Sequence, residues 1–351
     1  PYLMYRNNMA VPYIAAGANL SFWPIGPIFR ALGAFFLRRT FRGNVLYSKV
    51  FSEYIHRVLL EGYNIKIFIE GTRSRTGKLI MPKLGFLSIL MNAFKNGACD
   101  DLVFAPIYIG YDHVLEEKSY LHEIEGGKKE PENFLQVISA RKFLKNRYGK
   151  IYIKFHPTIS LNNLLEKDGT RFDEMLSKDQ NALCRNLGHR IINAINTVTV
   201  ITPHALVASV LLNITKERLS YDDLLRYVEV YVQHVTLQNA DIADTLVMDH
   251  VHAVENVLED YASRKLIVRI AENKDGPLSE ATYKVNIAKR PVLEYYKNNC
   301  VSFFVPAAFT ALAILEKDAF QFSASDLQKV YLFLQDFFKY EFAFDVDKAP
   351  D

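Results

Sequence analysis

Along the first 160 positions, apolar residues fall in short runs bounded by turn formers, and elsewhere recur every three to four positions. Such runs read as strands and such periodicity as helices. Residues 11–16 predict a short buried strand, 28–33 a helix after the Pro24, Gly26 and Pro27 break, and 34–37 a strand ending in Arg38-Arg39. Residues 46–60 predict a helix carrying Val50, Tyr54 and Val58 at helical spacing. A strand over 65–69, a helix over 86–95 and a strand over 102–110 follow. A helix over 134–148 then leads to a strand over 150–155, stopped by His156-Pro157. Residues 2–5 read as helical without a start signal before them, so the chain is expected to open inside an element.

Strands alternating with helices predict the α/β class, a mostly parallel sheet flanked by helices. Near residue 165 the pattern changes. Helices are expected over 181–196, 205–212, 221–234 and 249–262, with one hairpin of 266–270 against 283–287 across a Gly276-Pro277 loop. We therefore expect two regions, an α/β domain over 1–165 and a mainly helical region with one hairpin over 166–351. Helices followed by a hairpin also describe a winged-helix module.

Composition sets outer bounds. With 50% hydrophobic and 23% charged residues among 351, the chain is globular, and 24 Phe and 20 Tyr imply an aromatic core or interface. Cys99, Cys184 and Cys300 are odd in number and far apart, which suits a reducing compartment and gives no disulfide framework. The nine histidines form no metal-binding spacing, and neither a metal nor another cofactor is expected. No signal peptide is visible. The nearest approach to an apolar span, 300–315, is uncharged but short for a membrane span and contains Pro306, so it reads as a buried helix, with a membrane-dipping one as the alternative. Residues 22–39 mix Trp23, Phe29, Phe35 and Phe36 with Arg30, Arg38 and Arg39, as an interfacial segment does, though an amphipathic helix on the core fits as well.

The net charge of +3 conceals an asymmetry. Residues 1–100 hold 13 Lys/Arg against 4 Asp/Glu, a balance of +9; the remainder holds 29 against 35, a balance of −6. A basic first part attracts phosphates, nucleotides or acidic lipid headgroups. The acidic remainder argues against a DNA-binding use of the hairpin region, and no recognition helix or RNP-type strand is present, so nucleic acid is not an expected partner.

The sharpest feature is the run Phe68-Ile69-Glu70-Gly71-Thr72-Arg73-Ser74-Arg75-Thr76-Gly77-Lys78. An apolar strand ends in a carboxylate, two glycines and three cations. Glycines permit tight turns and close backbone approach, and guanidinium groups bind oxyanions with charge-assisted hydrogen bonds. A nucleotide P-loop does not fit: five residues separate Gly71 from Gly77, and Leu79 follows Lys78 where a hydroxyl is required. Ser74 has no assignable base and reads as a loop hydroxyl.

Three ordered blocks, residues 33–39 (GAFFLRR), 68–75 (FIEGTRSR) and 106–108 (PIY), resemble those of the glycerol-3-phosphate and dihydroxyacetone-phosphate acyltransferases. Residues 15–17, 39–44, 107–112, 202–206 (TPHAL) and 293–299 (LEYYKNN) extend the likeness over nearly the whole chain, most of all to the bacterial membrane-associated type. The resemblance implies acyl transfer from acyl-CoA or acyl-carrier protein to glycerol 3-phosphate, at the cytoplasmic face of a membrane. It implies that Arg39, Arg73 and Arg75 hold the acceptor's phosphate and that Glu70 orients the acceptor hydroxyls or the arginines. Gly71, Thr72 and Ser74 would complete the loop, and Pro106 would shape the neighbouring wall. Trp23, Phe29, Phe35 and Phe36 would meet lipid or the acyl chain.

One departure is plain. The family carries a His and an Asp in H-x-x-x-x-D spacing, the His serving as general base. None of the nine histidines has Asp five positions on; His56 and His250 have Glu61 and Glu255 there. The block is expected upstream of Pro1, and this chain alone is expected to be inactive. Dihydroxyacetone phosphate is the alternative acceptor, and a non-catalytic lipid- or anion-binding module the alternative from another class.

Overall fold

The computed structural model describes residues 1–38, 43–114, 149–271, 273, 276–316 and 323–344. The expected helix over 134–148 and Arg39 lie outside them. The chain opens with α1 (Tyr2–Arg6) and β1 (Tyr13–Gly17); α2 (Ile25–Ala31) leads to β2 (Ala34–Leu37), and α3 (Val45–Leu60) to β3 (Ile65–Lys66). β1 is the central strand, pairing parallel with β2 from Ile14↔Ala34 to Gly17↔Leu37 and with β3 at Tyr13↔Ile65. Parallel neighbours need crossovers, and α2 and α3 supply them. Side chains alternate across β2: Phe35 packs among Phe51, Tyr54 and Phe86, whereas the Phe36 ring lies under the Arg30 guanidinium at 5.4 Å.

α4 (Leu84–Lys95) packs against α3. The strand expected over 102–110 is split into β4 (Val103–Phe104) and β5 (Ile107–Tyr111). Their antiparallel partners are split in the same way, β6 (Ile151–Phe155) with β5 and β7 (Ile159–Ser160) with β4. Proline offers no N–H to a ladder, so both halves break at Pro106 and Pro157. The His156 N–H donates to the Pro106 carbonyl at 3.0 Å and holds the two breaks together. α5 (Leu161–Lys167) then starts from Ser160, whose hydroxyl accepts the Asn163 N–H.

The remainder is mainly helical with small sheets, as the pattern led us to expect. It comprises α6 (Ser177–Thr197), β8 (Val200–Ile201), α7 (Pro203–Asn213), β9 (Leu219–Ser220), α8 (Tyr221–Leu237) and β10 (Asp241–Ile242). Then come α9 (Asp244–Met248), α10 (His250–Ser263), β11 (Ile267–Ile270), β12 (Thr282–Val285), α11 (Arg290–Asn298), α12 (Val305–Leu315) and α13 (Ala324–Phe337). Thr202, Ser220, Asp249 and Ser323 cap α7, α8, α10 and α13 with side-chain oxygens. The expected hairpin is β11–β12; β9 adds to its far side, a two-residue strand too short to announce itself by alternation.

One buried cluster joins Phe51 and Ile55 of α3, Leu87 and Leu90 of α4, and Leu183, Leu187 and Ile191 of α6. Thus α6, although beyond residue 165, is built into the core beneath the parallel strands. A second cluster surrounds α7, which is buried on every side from Pro203 to Leu211 by residues of α8, α10, α11 and β12. A helix apolar all round belongs at the centre of a core. α12 buries Val305, Phe309 and Ala313, while Leu312 and Leu315 are exposed. The stretch expected to be a buried helix is therefore a surface helix with one covered face. Among the described residues no helix is long and apolar enough to cross a membrane.

Candidate functional site

The ladder of β3 ends at Lys66, earlier than the strand expected over 65–69, and the chain turns. Phe68 is 63% exposed with the Lys66 ammonium 5.2 Å from its ring centre, whereas Ile69 is buried. The Gly71 N–H donates to the Phe68 carbonyl at 2.9 Å and closes the turn. The loop that follows is shut at its base twice. The Lys83 N–H donates to the Ile69 carbonyl at 2.8 Å, and the Ile80 N–H donates to Glu70 Oε2 at 3.0 Å. Glu70 therefore fastens the two ends of residues 70–80 to each other. Burial pushes its carboxyl up from the ordinary value, opposed by the Ile80 N–H.

Between these ends Thr72, Arg73 and Arg75 are exposed, while the Ser74 hydroxyl oxygen is buried without a partner among the described residues. Gly71 has φ +64°, and a Cβ there would lie 2.7 Å from Lys83 Cγ. Gly77 has φ +81°, and a Cβ there would lie 2.1 Å from the Tyr295 carbonyl oxygen. The close approach that glycine permits is thus made to this chain's own atoms. Lys78, grouped in sequence with the two arginines, sits 3.0 Å from Glu341 Oε2 and 5.1 Å from the Phe342 ring centre. Arg73 and Arg75 are the exposed arginines of the loop.

The remaining sequence candidates lie on other elements. Pro106 is buried at the break between β4 and β5. Trp23 is 82% exposed, Phe29 and Phe36 are half-buried, and Phe35 faces the opposite side of the sheet with its ring in the aromatic core. Phe35 therefore does not share a surface with Phe36.

A second polar cluster had no role in the sequence reading. His113, just past β5, His204 on α7 and Asp260 on α10 bring their ligand atoms within 4.8 Å of one another. Asp260 Oδ1 is 3.7 Å from His113 Nε2, and Oδ2 is 3.6 Å from His204 Nε2. Arg264 joins them: one guanidinium nitrogen donates to Asp260 Oδ2 at 2.6 Å and faces His113 Nδ1 at 3.4 Å, and the other donates to the Tyr296 hydroxyl at 3.1 Å. The Tyr261 hydroxyl donates to the His204 carbonyl at 2.7 Å. Burial would raise Asp260, but His204, Arg264 and His113 outweigh it and hold the carboxyl below its ordinary range. Burial, with His204 and Arg264, lowers His113 against the opposing pull of Asp260 and Asp112.

This geometry could bring three ligands to a cation, yet the Arg264 guanidinium already neutralises Asp260. A donor facing His113 Nδ1 also directs the ring's proton to Nε2, the atom a cation would need. The cluster reads as a joint between β5 and the helices. Its one sequence signal was the TPHAL segment, whose His204 has partners far off in sequence.

A family model described as Acyltransferase matches residues 1–110, and one described as Glycerol-3-phosphate acyltransferase C-terminal region matches residues 120–351. The chain is 34% identical over 328 residues to a glycerol-3-phosphate acyltransferase of Actinobacillus pleuropneumoniae serotype 3, covering 91% of this chain and 38% of that relative. It is 35% identical over 342 residues to that of Pasteurella multocida, covering 95% and 41%. For that of Haemophilus influenzae strain PittEE the identity is 33% over 340 residues, covering 95% and 41%. The chain spans about two fifths of the length of these relatives.

Proposed function

The chain belongs to the glycerol-3-phosphate acyltransferase family, and on that premise we propose that its protein acylates glycerol 3-phosphate with the loop over 70–80 holding the acceptor's phosphate. The observation that carries this reading is the pair Arg73 and Arg75, exposed on a loop whose ends Glu70 locks together. A phosphate dianion needs two or three cationic donors fixed in place, and guanidinium supplies bidentate ones. Arg39 and Ser74 would add to them, with Thr72 beside them and Pro106 shaping the wall.

The reaction is attack of the acceptor's 1-hydroxyl on the thioester carbonyl carbon of acyl-CoA or acyl-carrier protein. The C–O bond forms, the C–S bond breaks, and the proton of the hydroxyl ends on the departing thiol; the product is lysophosphatidate. Donors aimed at the tetrahedral oxyanion are typically worth about 3–4 kcal/mol each. None of the nine histidines has the H-x-x-x-x-D spacing, so no residue of this chain is given the base's role.

The acyl chain and product partition into lipid, and the exposed Trp23, with Ile28 and Leu32 at 51% and 67% exposure, supports a membrane-facing surface on α2 with Phe29 and Phe36 beside it. We place that surface on the cytoplasmic side. The test of the acceptor assignment compares glycerol 3-phosphate, dihydroxyacetone phosphate and glycerol with one acyl donor in the full-length protein. Glycerol 3-phosphate should be preferred over dihydroxyacetone phosphate severalfold and over glycerol by orders of magnitude. Equal use of glycerol would overturn the phosphate role, and preference for the ketone would reassign the acceptor.

A further inference from the structure

The basic loop is not held by its own domain alone. On its outer side, the Asn298 side-chain amide donates to the Thr76 carbonyl at 2.8 Å, across 222 positions of sequence. One residue on, Gly77 packs so tightly on the Tyr295 carbonyl that no Cβ fits between them. Both contacts come from α11, so a single turn of that helix meets the backbone immediately after Arg75.

α11 is itself anchored. Val292, Leu293 and Tyr296 are buried in the cluster around α7, and the Tyr296 hydroxyl accepts a hydrogen bond from Arg264, which also binds Asp260 and faces His113 at the end of β5. The same helix therefore touches the loop directly and, through Arg264, the strand that follows Pro106. Two segments far apart in sequence are referred to one rigid element.

We propose that Asn298 is a positioning residue for the acceptor site, and that α11 sets the direction in which Arg73 and Arg75 face the acceptor's phosphate. This rests on the reading of the loop given above. Backbone position matters there because guanidinium–phosphate bonds are directional and lose strength steeply with misalignment. Glu70 fixes the loop's ends; Asn298 and Tyr295 fix its far side. Lys78–Glu341 adds a partly exposed ion pair at the same place, which contributes little by comparison.

The experiment measures both Michaelis constants and the melting temperature of the full-length protein carrying Asn298→Ala or Asn298→Asp, beside Arg73→Ala. Aspartate keeps the size of asparagine but has no hydrogen to donate, so a packing role would survive it. Each Asn298 variant should raise KM for glycerol 3-phosphate about three- to tenfold, the range one lost hydrogen bond supports. The KM for acyl donor should stay unchanged and the melting temperature should move by no more than a few degrees. If Arg73→Ala raises the acceptor KM while Asn298→Asp behaves as wild type, the positioning role is overturned and the phosphate site stands. An Asn298 variant that raises both constants alike also overturns it. If Arg73→Ala itself leaves the acceptor KM unchanged, the phosphate reading fails and this inference with it.

Discussion

Gly77 and Tyr295 meet where the basic loop joins the helical region, and a Cβ on Gly77 would stand 2.1 Å from the Tyr295 carbonyl oxygen. Side chain and peptide cannot share that space, and φ +81° is itself unfavourable for alanine by roughly 1–2 kcal/mol. Gly77→Ala should therefore cost more than about 2 kcal/mol in stability and raise KM for glycerol 3-phosphate. Gly62 is the control: its φ is +77° but nothing lies within 4 Å of the added Cβ. Gly62→Ala should show the conformational cost alone, with acceptor kinetics unchanged. Thermal melts and acceptor titrations of the two variants separate crowding from dihedral strain.

Glu70 presents a different balance. Burial raises its carboxyl, so the folded state binds the proton more tightly than the unfolded chain does. Its contribution to stability therefore falls as pH rises from the unfolded value of 4.5 through the raised folded one. Glu70→Gln keeps an acceptor for the Ile80 N–H and removes the buried charge. The variant should match or exceed wild type in denaturant melts at pH 7, with the two converging near pH 4. It should nonetheless raise the acceptor KM roughly tenfold or more, as loss of a charged hydrogen-bond partner does. Lower stability of Glu70→Gln at pH 7 would show that the carboxylate is needed by the fold.

Asp260 runs the opposite way. Burial works against its charge, but His204, Arg264 and His113 prevail and hold it below its ordinary range, so its stabilisation is present above 3.8 and is lost as pH falls through the folded value. Asp260→Asn leaves a largely buried Arg264 without its counter-charge, a change expected to cost about 2–4 kcal/mol at pH 7. The deficit should shrink as pH falls below 3.8 and vanish once the folded carboxyl is protonated. A variant as stable as wild type at pH 7 would mean that Arg264 finds full compensation elsewhere.

How much of this was legible beforehand depended on the range of the interactions. The helices that became α3, α4, α6, α7, α8 and α10 follow from apolar spacing, and the β11–β12 hairpin from two short runs around Gly276-Pro277. The residues of the basic loop were visible because carboxylate, glycines and arginines stand together in sequence. What escaped is what distant segments supply. The strand over 65–69 stops at Lys66 because Phe68 turns to solvent, and the run over 102–110 breaks at Pro106 opposite Pro157. Phe35 and Phe36, adjacent and both aromatic, part company because a strand sends successive side chains to opposite faces. His204, Tyr295 and Asn298 stood in segments that the resemblance marked, 202–206 and 293–299, but no local pattern gave them a role, since each gains meaning only from a partner tens to hundreds of positions away.

The membrane assignment rests on α2. Trp23 is 82% exposed just before the helix, Phe29 adjoins Arg30 in sequence, and the first hundred residues carry a balance of +9. In flotation with anionic vesicles, Trp23→Ala combined with Phe29→Ala should weaken binding roughly tenfold, and added salt should weaken it further. Undiminished binding of the double variant would move the lipid contact to another surface.

The central claim is that the loop holds the acceptor's phosphate with arginines. Its most direct test is steady-state kinetics of Arg73→Ala and Arg75→Ala in the full-length protein, titrating glycerol 3-phosphate and acyl donor separately. Each variant should raise KM for glycerol 3-phosphate about tenfold or more while leaving KM for the acyl donor near wild type. Unaltered acceptor kinetics in both variants would contradict the claim.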